Sequence, residues 1–451
     1  MITAGAWKNK RYAVYGLARS GLATVRALVA SGAEVTAWDR SEEARAKAEG
    51  ARILDLDSAD LSQFDSLVVS PGVPLNTHPI AARARAAGVE IVGDIELFAR
   101  ARPELPPHKV VGITGTNGKS TTTALVHHIL QTAGVPTTMG GNIGLPILAQ
   151  DPLPEGGVYV LELSSFQIDL TQSLDCDVAV LLNITPDHLD RYESFEAYAE
   201  SKVRLLGMQS KPHHSVITES GLIGARSIGD LVDDATIGPG SRPHWPGLNV
   251  AMDTEASFIA GRLFWKGTYR SSQQDWPSLQ GPHNAQNVLA AVTASILVGV
   301  EPDVATQALE SYGGLPHRME RVRELHGVLF VNDSKATNAE AAAPALAAYP
   351  RIRWIVGGQA KTKELGDTER HLDHVVRAYT IGEAGPMFAD LLEARGIAVT
   401  RAETLENAVK CAHEDSQAGE TVLLSPACAS FDQFRDFEAR GDAFRRLVGD
   451  L

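Results

Sequence analysis

The chain has 451 residues, 44% of them apolar, and a formal net charge of −14 at pH 7. It is too long for a single hydrophobic core, and its acidic balance argues against a nucleic-acid or membrane-surface role. Its three cysteines are far apart in the sequence, so no disulfide framework is implied. The N-terminus lacks the apolar core of a signal peptide, and the longest apolar run, 288–300, is too short to span a membrane. We therefore expect a cytoplasmic protein without membrane insertion, and a monomer.

The first elements of the chain predict a Rossmann-like unit. Residues 11–15 are predicted to form a strand and residues 22–30 a helix, with a glycine-rich turn from Gly16 to Gly21 between them. Such a turn directs backbone N–H groups at a phosphate. The middle glycine of the dinucleotide fingerprint is replaced here by Ala18, which favours phosphate binding of some kind over NAD.

Two further strands and a linker complete this unit. The strand 34–39 ends at Asp39, which is either a ligand contact or an ordinary residue of a strand-end turn. Another strand leads into the turn Ser70-Pro71-Gly72. The proline-rich segment 102–107 is a predicted linker, so we place the first domain at residues 1–106.

The second domain, predicted to span residues 107–313, begins with a phosphate loop. An apolar, β-branched strand leads into Gly115-Thr116-Asn117-Gly118-Lys119-Ser120-Thr121, and a helical pattern follows at once. The glycines let backbone N–H groups close around a polyphosphate at the positive end of the helix. Lys119 adds charge for the outer phosphates, and the Ser120 hydroxyl is placed to bind Mg²⁺. The first glycine of the common motif is replaced by Ile113, but strand, turn and helix agree with nucleotide binding.

Two later strands of this domain lead to metal-binding side chains. The apolar strand that begins at residue 158 carries Glu162, and an unpaired carboxylate in such a run would be costly. Glu162 is therefore a predicted Mg²⁺ ligand. His188 follows the buried strand 178–184, at the strand end where α/β sheets place ligands.

Several other positions admit two interpretations. Asn142, in a second glycine-rich turn, is either structural or a ligand contact. Asn284 and Asn287 lie three apart before an apolar helix, where they either bind a nucleotide or cap the helix. By composition alone Lys202 is a solvated surface lysine. The third domain, predicted at 314–451, contains a strand that ends in a polar cluster beginning at Asp333.

These motifs resemble the Mur ligase family, ATP-dependent enzymes that join amino acids to a peptidoglycan precursor. The family's forms Gly-Thr-Asn-Gly-Lys-Ser-Thr, Gly-Gly-Asn-Ile-Gly and Gly-x-His-Asn-x-x-Asn occur here in order, within a resemblance that runs from Gly16 to Gly441. The segment 425–434 resembles that of the member that adds D-glutamate to UDP-N-acetylmuramoyl-L-alanine. The Asp-x-Pro-Arg motif of members that add diaminopimelate or lysine is absent.

The resemblance implies an α/β fold of three domains. These are an N-terminal Rossmann-like UDP-binding domain, a central phosphate-loop ATPase domain with a parallel sheet, and a C-terminal Rossmann-like domain. It also implies an acyl-phosphate mechanism that uses ATP and two Mg²⁺ ions. The expected partners are the small-molecule substrates alone: the nucleotide sugar, D-glutamate and ATP.

The resemblance further implies roles for individual residues. The UDP-substrate contacts are Gly16, Arg19, Ser20, Asp39, Arg40, Ser70, Pro71, Gly72 and Asn142. The ATP contacts are Gly115, Thr116, Asn117, Gly118, Lys119, Ser120, Thr121, Asn284, Asn287, Arg318 and Asp333. The metal ligands are Ser120, Glu162, His188 and Lys202, the last of them carbamylated, and the catalytic set is Lys119, Glu162, His188, Lys202 and Arg318. The D-glutamate contacts are Thr337, Lys361, Ser430 and Phe437. Gln359-Ala360, just before Lys361, departs from the family pattern.

Three alternative functions compete with this reading. A folylpolyglutamate synthase shares the ATP core but lacks an N-terminal domain like residues 1–106. A non-catalytic nucleotide-binding regulator has no use for acyl-acceptor machinery such as Glu162 and Lys202. A dehydrogenase would depend on the incomplete Gly16 to Gly21 turn alone.

Overall fold

The computed structural model describes residues 1–185, 187, 190–218, 222–223, 226–227, 249–250, 256–259 and 261–451. Three sheets of five or six strands, parallel in all but one pairing, dominate these residues and confirm the predicted α/β class. The chain forms two compact units, Met1–Ser271 with Gln286–Ala308, and Ser272–Ala285 with Leu309–Leu451. The boundaries 1–106, 107–313 and 314–451 remain predictions.

The first sheet has five parallel strands in the order β3-β2-β1-β4-β5. The strands are β1 (Arg11–Tyr15), β2 (Glu34–Trp38), β3 (Arg52–Ile53), β4 (Ser66–Val69) and β5 (Glu90–Val92). The helices are α1 (Arg19–Ala30), α2 (Glu42–Ala46), α3 (Pro79–Ala86) and α4 (Asp94–Ala101). The chain winds in opposite directions from β1 and from β4, and in such sheets ligands bind at the carboxyl ends of those two strands. Gly16 and Ser70 follow them.

The second sheet has six parallel strands in the order β13-β10-β9-β6-β8-β7. The strands are β6 (His108–Thr114), β7 (Thr137–Gly141), β8 (Gly157–Glu162), β9 (Val178–Leu181), β10 (His214–Ile217) and β13 (Asn249–Val250). The helices of this part are α5 (Lys119–Thr132), α6 (Ser165–Asp169), α7 (Phe195–Gly207), α8 (Pro282–Leu297) and α9 (Pro302–Ser311). Ile113 on β6 pairs with Glu162 on β8, which brings Glu162 beside the strand that enters the phosphate loop.

Smaller elements accompany these sheets. The short strands are β11 (Leu222–Ile223), β12 (Arg226–Ser227), β14 (Ala256–Ile259), β15 (Arg262–Trp265) and β16 (Thr268–Ser272). The 3₁₀ helices are Gly5–Trp7, Leu61–Gln63, Arg102–Glu104, Ile147–Ala149, Gln273–Asp275 and Gly366–His374. One of them lies in the predicted linker, so that linker is partly helical. No helix in the described part of the chain has the length and apolarity to cross a membrane.

The third sheet has the order β17-β18-β22-β19-β20-β21. Its strands are β17 (Glu320–Leu325), β18 (Val328–Asn332), β19 (Ile352–Gly357), β20 (Val375–Ile381), β21 (Val399–Glu403) and β22 (Thr421–Leu424). The helices are α10 (Ala339–Ala348), α11 (Gly385–Glu393), α12 (Leu405–Asp415) and α13 (Phe437–Gly449). The hairpin of β17 and β18 is antiparallel, and the other pairings are parallel. The loops after β18, β22 and β19 therefore lie side by side at one edge of the sheet.

Candidate active site

The phosphate loop joins β6 to α5, as the sequence predicts. Gly115 and Gly118 have φ angles of 152° and 85°, a range that favours glycine. A Cβ on Gly118 would lie 2.2 Å from Asn287 Oδ1, so a larger residue does not fit. Lys119, the first residue of α5, donates from Nζ to the carbonyl oxygens of Gly115 at 2.8 Å and Thr116 at 2.7 Å. The loop therefore presents the N-terminus of a 14-residue helix, a favourable site for an anion.

Two residues that the sequence analysis passed over hold this loop in place. The Asn183 side chain accepts from the Asn117 N–H at 2.8 Å and donates to the Asn117 carbonyl at 3.0 Å. The Tyr198 hydroxyl lies 3.1 Å from Thr116 Oγ1. Asn183 follows the buried strand β9. A polar residue just after an apolar strand is the sequence feature that could have identified it.

Glu162 and Asn142 form a second part of the site. Glu162 ends β8 and is 2% exposed, and its Oε1 accepts from Asn142 Nδ2 at 2.9 Å. Its Oε2 is buried and has no hydrogen-bond partner among the described residues. A buried carboxylate oxygen of this kind needs a proton or a cation, so Glu162 fits a metal ligand. Gly141 permits this geometry, since a Cβ there would lie 2.2 Å from the Glu162 carbonyl oxygen.

Lys202 is a buried residue of the site, and its interpretation as a solvated surface lysine is wrong. Its side chain on α7 is 2% exposed because this face of the helix packs against the phosphate loop. Its Nζ donates to the Gly115 carbonyl at 2.9 Å and lies 4.6 Å from the centre of the Tyr198 ring. Burial, and then the nearby charge of Lys119, lower the pKa of Lys202 well below its ordinary value.

His188, the remaining predicted metal ligand, lies outside the described residues. Within the described ranges, no group of three or more histidine, cysteine, aspartate or glutamate side chains is arranged to hold a metal ion. The predicted set is of another kind, because two of its four members are a serine hydroxyl, Ser120, and a modified lysine, Lys202, and it stays a prediction. Ser120 is buried in the first turn of α5.

A pocket of about 250 Å³ brings together predicted UDP-substrate residues from both sheets of the first unit. Its lining includes Arg19, Ser20, Pro71, Gly72 and Asn142. Gly16 and Ser70 are joined to each other, because Ser70 Oγ donates to the Gly16 carbonyl at 2.7 Å. Arg19 is also the first residue of α1, so the lining includes a helix N-terminus. The combination suits an anionic ligand.

Asp39 and Arg40 are not among the residues that line this pocket. Asp39 accepts from the Leu17 N–H at 2.6 Å and from the Ser41 N–H at 2.8 Å. These bonds match its interpretation as a strand-end turn residue. Arg40 is exposed. A ligand contact by either residue stays a prediction.

The two asparagines of α8 lie inside the helix, so the interpretation that they cap its start is wrong. The helix begins at Pro282, since proline suits the first turn, where an N–H needs no helical partner. Asn287 Oδ1 accepts from Thr122 Oγ1 at 3.3 Å, which holds this side chain against α5. Asn284 Nδ2 donates to the Gln280 carbonyl at 2.9 Å.

Asp333 follows β18 in the second unit and is buried. Its Oδ2 accepts from Ser425 Oγ at 2.8 Å, and its Oδ1 accepts from the Met319 N–H at 3.2 Å. Burial raises the pKa of Asp333 to about 7, although these hydrogen bonds and the charge of half-buried Arg318 oppose the rise. Asp333 and Arg318 are therefore electrostatic neighbours.

The four predicted D-glutamate residues belong to loops at one edge of the third sheet and to the start of α13. Ser430 is buried, Thr337 is half-buried, and Lys361 is exposed. The loops after β19 and β22 are joined because Gln359 and Ala429 exchange backbone hydrogen bonds of 2.9 and 3.0 Å. Phe437, the first residue of α13, accepts at its carbonyl from Ser334 Oγ at 2.8 Å. The structure thus gathers the elements that carry all four residues.

Family models match three consecutive parts of the chain. The Mur ligase MurD-like N-terminal domain matches residues 10–93, the Mur ligase middle domain residues 113–295, and the Mur ligase glutamate ligase domain residues 317–428. The chain is also similar to solved structures. It superimposes on the MurF ligase from Thermotoga maritima in complex with ADP with a TM-score of 0.59, at 16% identity, over 99% of this chain and 97% of that one. This likeness shows a shared fold.

Two curated relatives are similar over their whole length. The UDP-N-acetylmuramoylalanine–D-glutamate ligase of Novosphingobium aromaticivorans is 58% identical over 100% of this chain and 97% of its own. The protein of the same name from Zymomonas mobilis is 51% identical over 100% of both chains. The chain therefore belongs to the Mur ligase family.

Proposed function

We propose that this chain is the ligase that adds D-glutamate to UDP-N-acetylmuramoyl-L-alanine, with ATP as the energy source, in peptidoglycan precursor synthesis. The observation that carries the proposal is the arrangement around the phosphate loop. Glu162, with one unpartnered carboxylate oxygen among the described residues, and buried Lys202 both adjoin the strand and loop that lead to Lys119. The names of the two full-length relatives supply the substrates.

The phosphate loop would bind the phosphates of ATP. Backbone N–H groups at the start of α5 would donate to the phosphates, and Lys119 would exchange its bonds to the Gly115 and Thr116 carbonyls for bonds to phosphate. The solved MurF relative is a complex with ADP. We assign nucleotide contacts also to Asn284, Asn287 and Asp333, and to Arg318 the stabilisation of charge on the transferred phosphoryl group.

Ser120, Glu162, His188 and a carbamylated Lys202 would hold two Mg²⁺ ions. When bound, the ions would neutralise charge on the phosphates. Glu162 fits this role because its Oε2 is buried without a partner in the described structure. Lys202 fits because a lowered pKa favours the neutral amine, the form that adds CO₂ to give a carbamate anion and a proton.

The reaction would take place in two chemical steps. The γ-phosphoryl group of ATP passes to the carboxylate of the L-alanyl group, which gives an acyl phosphate and ADP. The amine of D-glutamate then attacks the acyl carbon, and the tetrahedral intermediate collapses to the amide and phosphate. The UDP-sugar would be held by the pocket that includes Arg19, Ser20 and Asn142. The amino acid would be held by Thr337, Lys361, Ser430 and Phe437.

We also propose that the protein works in the cytoplasm as a monomer. Cys176, Cys411 and Cys428 are all free thiols, and free thiols are usual in a reducing compartment. ATP and nucleotide sugars as substrates suit the same compartment.

Phosphate release from Mg-ATP tests the proposal. Release should depend on both UDP-N-acetylmuramoyl-L-alanine and D-glutamate, and should not occur with L-glutamate, L-lysine or diaminopimelate. The Lys119→Ala variant is the matched control, because it removes the phosphate-binding charge without touching either substrate pocket. Release with another amino acid would overturn the assignment of D-glutamate, and near-normal release from Lys119→Ala would overturn the assigned role of Lys119.

A further inference from the structure

Arg440 is a buried cation beneath the loops at the carboxyl edge of the third sheet. It lies on α13, and 1% of its surface is exposed. Its Nε donates to Ser334 Oγ at 2.9 Å, and its Nη2 donates to the Ser334 carbonyl at 2.8 Å and the Cys428 carbonyl at 3.0 Å. Its Nη1 lies 3.4 Å from the Ala429 carbonyl oxygen. One guanidinium therefore joins three elements: the loop after β18, the loop after β22 and α13.

Every hydrogen-bond acceptor of Arg440 is neutral. Three are backbone carbonyls and one is a serine hydroxyl, and in the described part of the chain Arg440 forms no ion pair. Burial lowers the pKa of Arg440 to about 10, although Cys428, Asp432 and Asp333 oppose this fall, so the side chain stays positively charged at neutral pH. Neither aspartate forms an ion pair with Arg440 among the described residues. Leaving such a charge buried without a carboxylate is costly. A buried positive charge of this kind favours the binding of an anion nearby.

A second buried arginine on the same sheet shows the contrast. Arg353 lies near the start of β19, at the end of the sheet opposite these loops. Its Nε donates to the Glu420 carboxylate at 2.6 Å, and its Nη1 donates to the Tyr379 hydroxyl at 2.9 Å. Arg353 is thus neutralised within the fold. The burial of Arg440 is similar, but no carboxylate of the described residues forms a direct ion pair with it, and Asp432 and Asp333 act on its charge only from farther away.

The loops that Arg440 joins carry the residues assigned to the amino-acid substrate. Thr337 follows Ser334 in the first loop, and Ser430 follows Ala429 in the second. The second loop is paired through Ala429 with Gln359, two residues before Lys361. Phe437 lies one helical turn before Arg440 on α13. A substitution of Arg440 would therefore alter the positions of the loops and the helix start that carry these four residues.

We propose that Arg440 is a positioning residue that selects an anionic amino acid: its fork of hydrogen bonds holds these loops, and its positive charge, which no carboxylate contacts in the described structure, favours a substrate with an extra carboxylate. This inference rests on the proposed function. Arg440 would act by holding the loops in place and through the electrostatic field of its guanidinium, without direct contact to the substrate. The side-chain carboxylate of glutamate would gain from the charge, whereas the neutral amide of glutamine would not.

Two variants separate geometry from charge. Arg440→Lys keeps the charge but cannot reproduce a planar fork with bonds to three residues. Arg440→Gln removes the charge and keeps polar hydrogen bonding. For each variant, KM and kcat for D-glutamate and for the nucleotide sugar are measured, together with the affinity for D-glutamine by competition. Arg353→Gln is the matched control, and thermal melting reports folding for all.

For Arg440→Gln we expect KM for D-glutamate to rise about tenfold, the affinity for D-glutamine to change much less, and KM for the nucleotide sugar to stay within about twofold. For Arg440→Lys we expect weaker binding of both amino acids with the preference for D-glutamate kept. Arg353→Gln should lower the melting temperature and leave the preference unchanged.

The proposal is overturned if Arg440→Gln weakens both amino acids equally, or leaves KM for D-glutamate unchanged. If Arg440→Gln does not fold, Arg440→Lys decides: raised KM with the preference kept supports the proposal, and an unchanged KM or a lost preference overturns it. Absence of D-glutamate-dependent phosphate release in the unaltered protein would instead contradict the proposed function, so the two failures are distinguishable.

Discussion

Lys119 and Lys202 donate to the same acceptor, the carbonyl oxygen of Gly115, at 2.8 and 2.9 Å. Two amines this close disfavour each other's protonation, and the charge of Lys119 is, after burial, the main cause that lowers the pKa of Lys202. In the proposed function, the amine that would have to be neutral to accept CO₂ therefore lies beside the amine that would have to be charged to bind phosphate. Because the two amines have different proposed roles, the first prediction concerns Lys202 alone.

Replacing Lys202 with methionine should abolish ligation without destabilising the fold. Methionine fills much of the same apolar space without the cost of burying an amine, so the melting temperature should stay the same or rise. Turnover should fall by about 10³-fold or more, because one proposed metal ligand is lost. Steady-state phosphate release and a thermal melt check both outcomes.

Lys109→Met is the matched control for this variant. Lys109 also donates to a single backbone carbonyl, that of Val298 at 2.9 Å, but its side chain is exposed. It should keep full activity. An active Lys202→Met enzyme would remove Lys202 from the proposed metal site.

The same lysine predicts a pH dependence of stability. Because the pKa of Lys202 is lowered in the folded protein, the unfolded chain binds more protons between the folded and the ordinary pKa. The contribution of Lys202 to stability should therefore increase as pH rises through that window. Urea unfolding across alkaline pH, in CO₂-free buffer so that Lys202 carries no carbamate, should show this increase in the unaltered protein relative to Lys202→Met. Parallel curves would argue against the lowered pKa.

Asn183 should matter for ATP binding although it is not among the predicted ligands. Its side chain bonds both the N–H and the carbonyl of Asn117, which fixes the middle of the phosphate loop. Asn183→Ala should raise KM for ATP about tenfold and leave KM for D-glutamate unchanged. A uniform loss of kcat with unchanged KM for ATP would show that the loop does not need this support.

Glu96 should stabilise the attachment of α4 to the loop before β9. The side chain is 1% exposed, and its carboxylate accepts from the Gln172 and Ser173 N–H groups at 2.7 and 2.9 Å. Removing it leaves those two N–H groups and Arg100 Nε without their acceptor, while the rest of the Arg100 guanidinium stays paired with Glu90. Because buried donors are left unsatisfied, Glu96→Ala should lower the free energy of unfolding by about 1–3 kcal/mol in urea denaturation.

Glu43 provides the control for that measurement. It forms an exposed ion pair with Lys47, four residues later, which follows the last residue of α2. Such a surface pair contributes little, so Glu43→Ala should leave the unfolding midpoint unchanged. Equal effects of the two substitutions would refute a structural role specific to Glu96.

The sequence predicted those features that depend on local pattern. The strand, turn and helix of the phosphate loop, and the position of Glu162 at a strand end, follow from apolar periodicity and glycine placement along adjacent residues. Composition alone places Lys202 at the surface, although the family resemblance assigns it to the metal site, and neither Asn183 nor Arg440 is among the predicted site residues. The environment of these three residues comes from segments far away in the chain. Composition around Lys202 is that of a surface helix, and its burial is decided by the phosphate loop 87 residues earlier. The residues next to Lys202 in the sequence do not indicate such a contact.

Asp94 gives the last prediction, one of pH-dependent stability. Its carboxyl group is buried at the start of α4, Oδ1 accepts from the Ile95 N–H at 3.0 Å, and Oδ2 has no hydrogen-bond partner among the described residues. Burial raises the pKa of Asp94 to about 6, above the roughly 3.9 of an unfolded aspartate. The folded protein therefore binds the extra proton between these values, and the stability that Asp94 contributes is lost as pH rises through 6.

The Asp94→Asn variant removes this loss because an amide is never charged. Relative to the unaltered protein, it should be more stable at pH 8 by up to about 3 kcal/mol, the free-energy equivalent of the difference between the two pKa values, and no more stable near pH 4. Urea unfolding at the two pH values measures both differences. A gain of equal size at both would mean that the amide packs better for reasons other than charge, and no gain at pH 8 would mean that the buried carboxylate has a cation partner there.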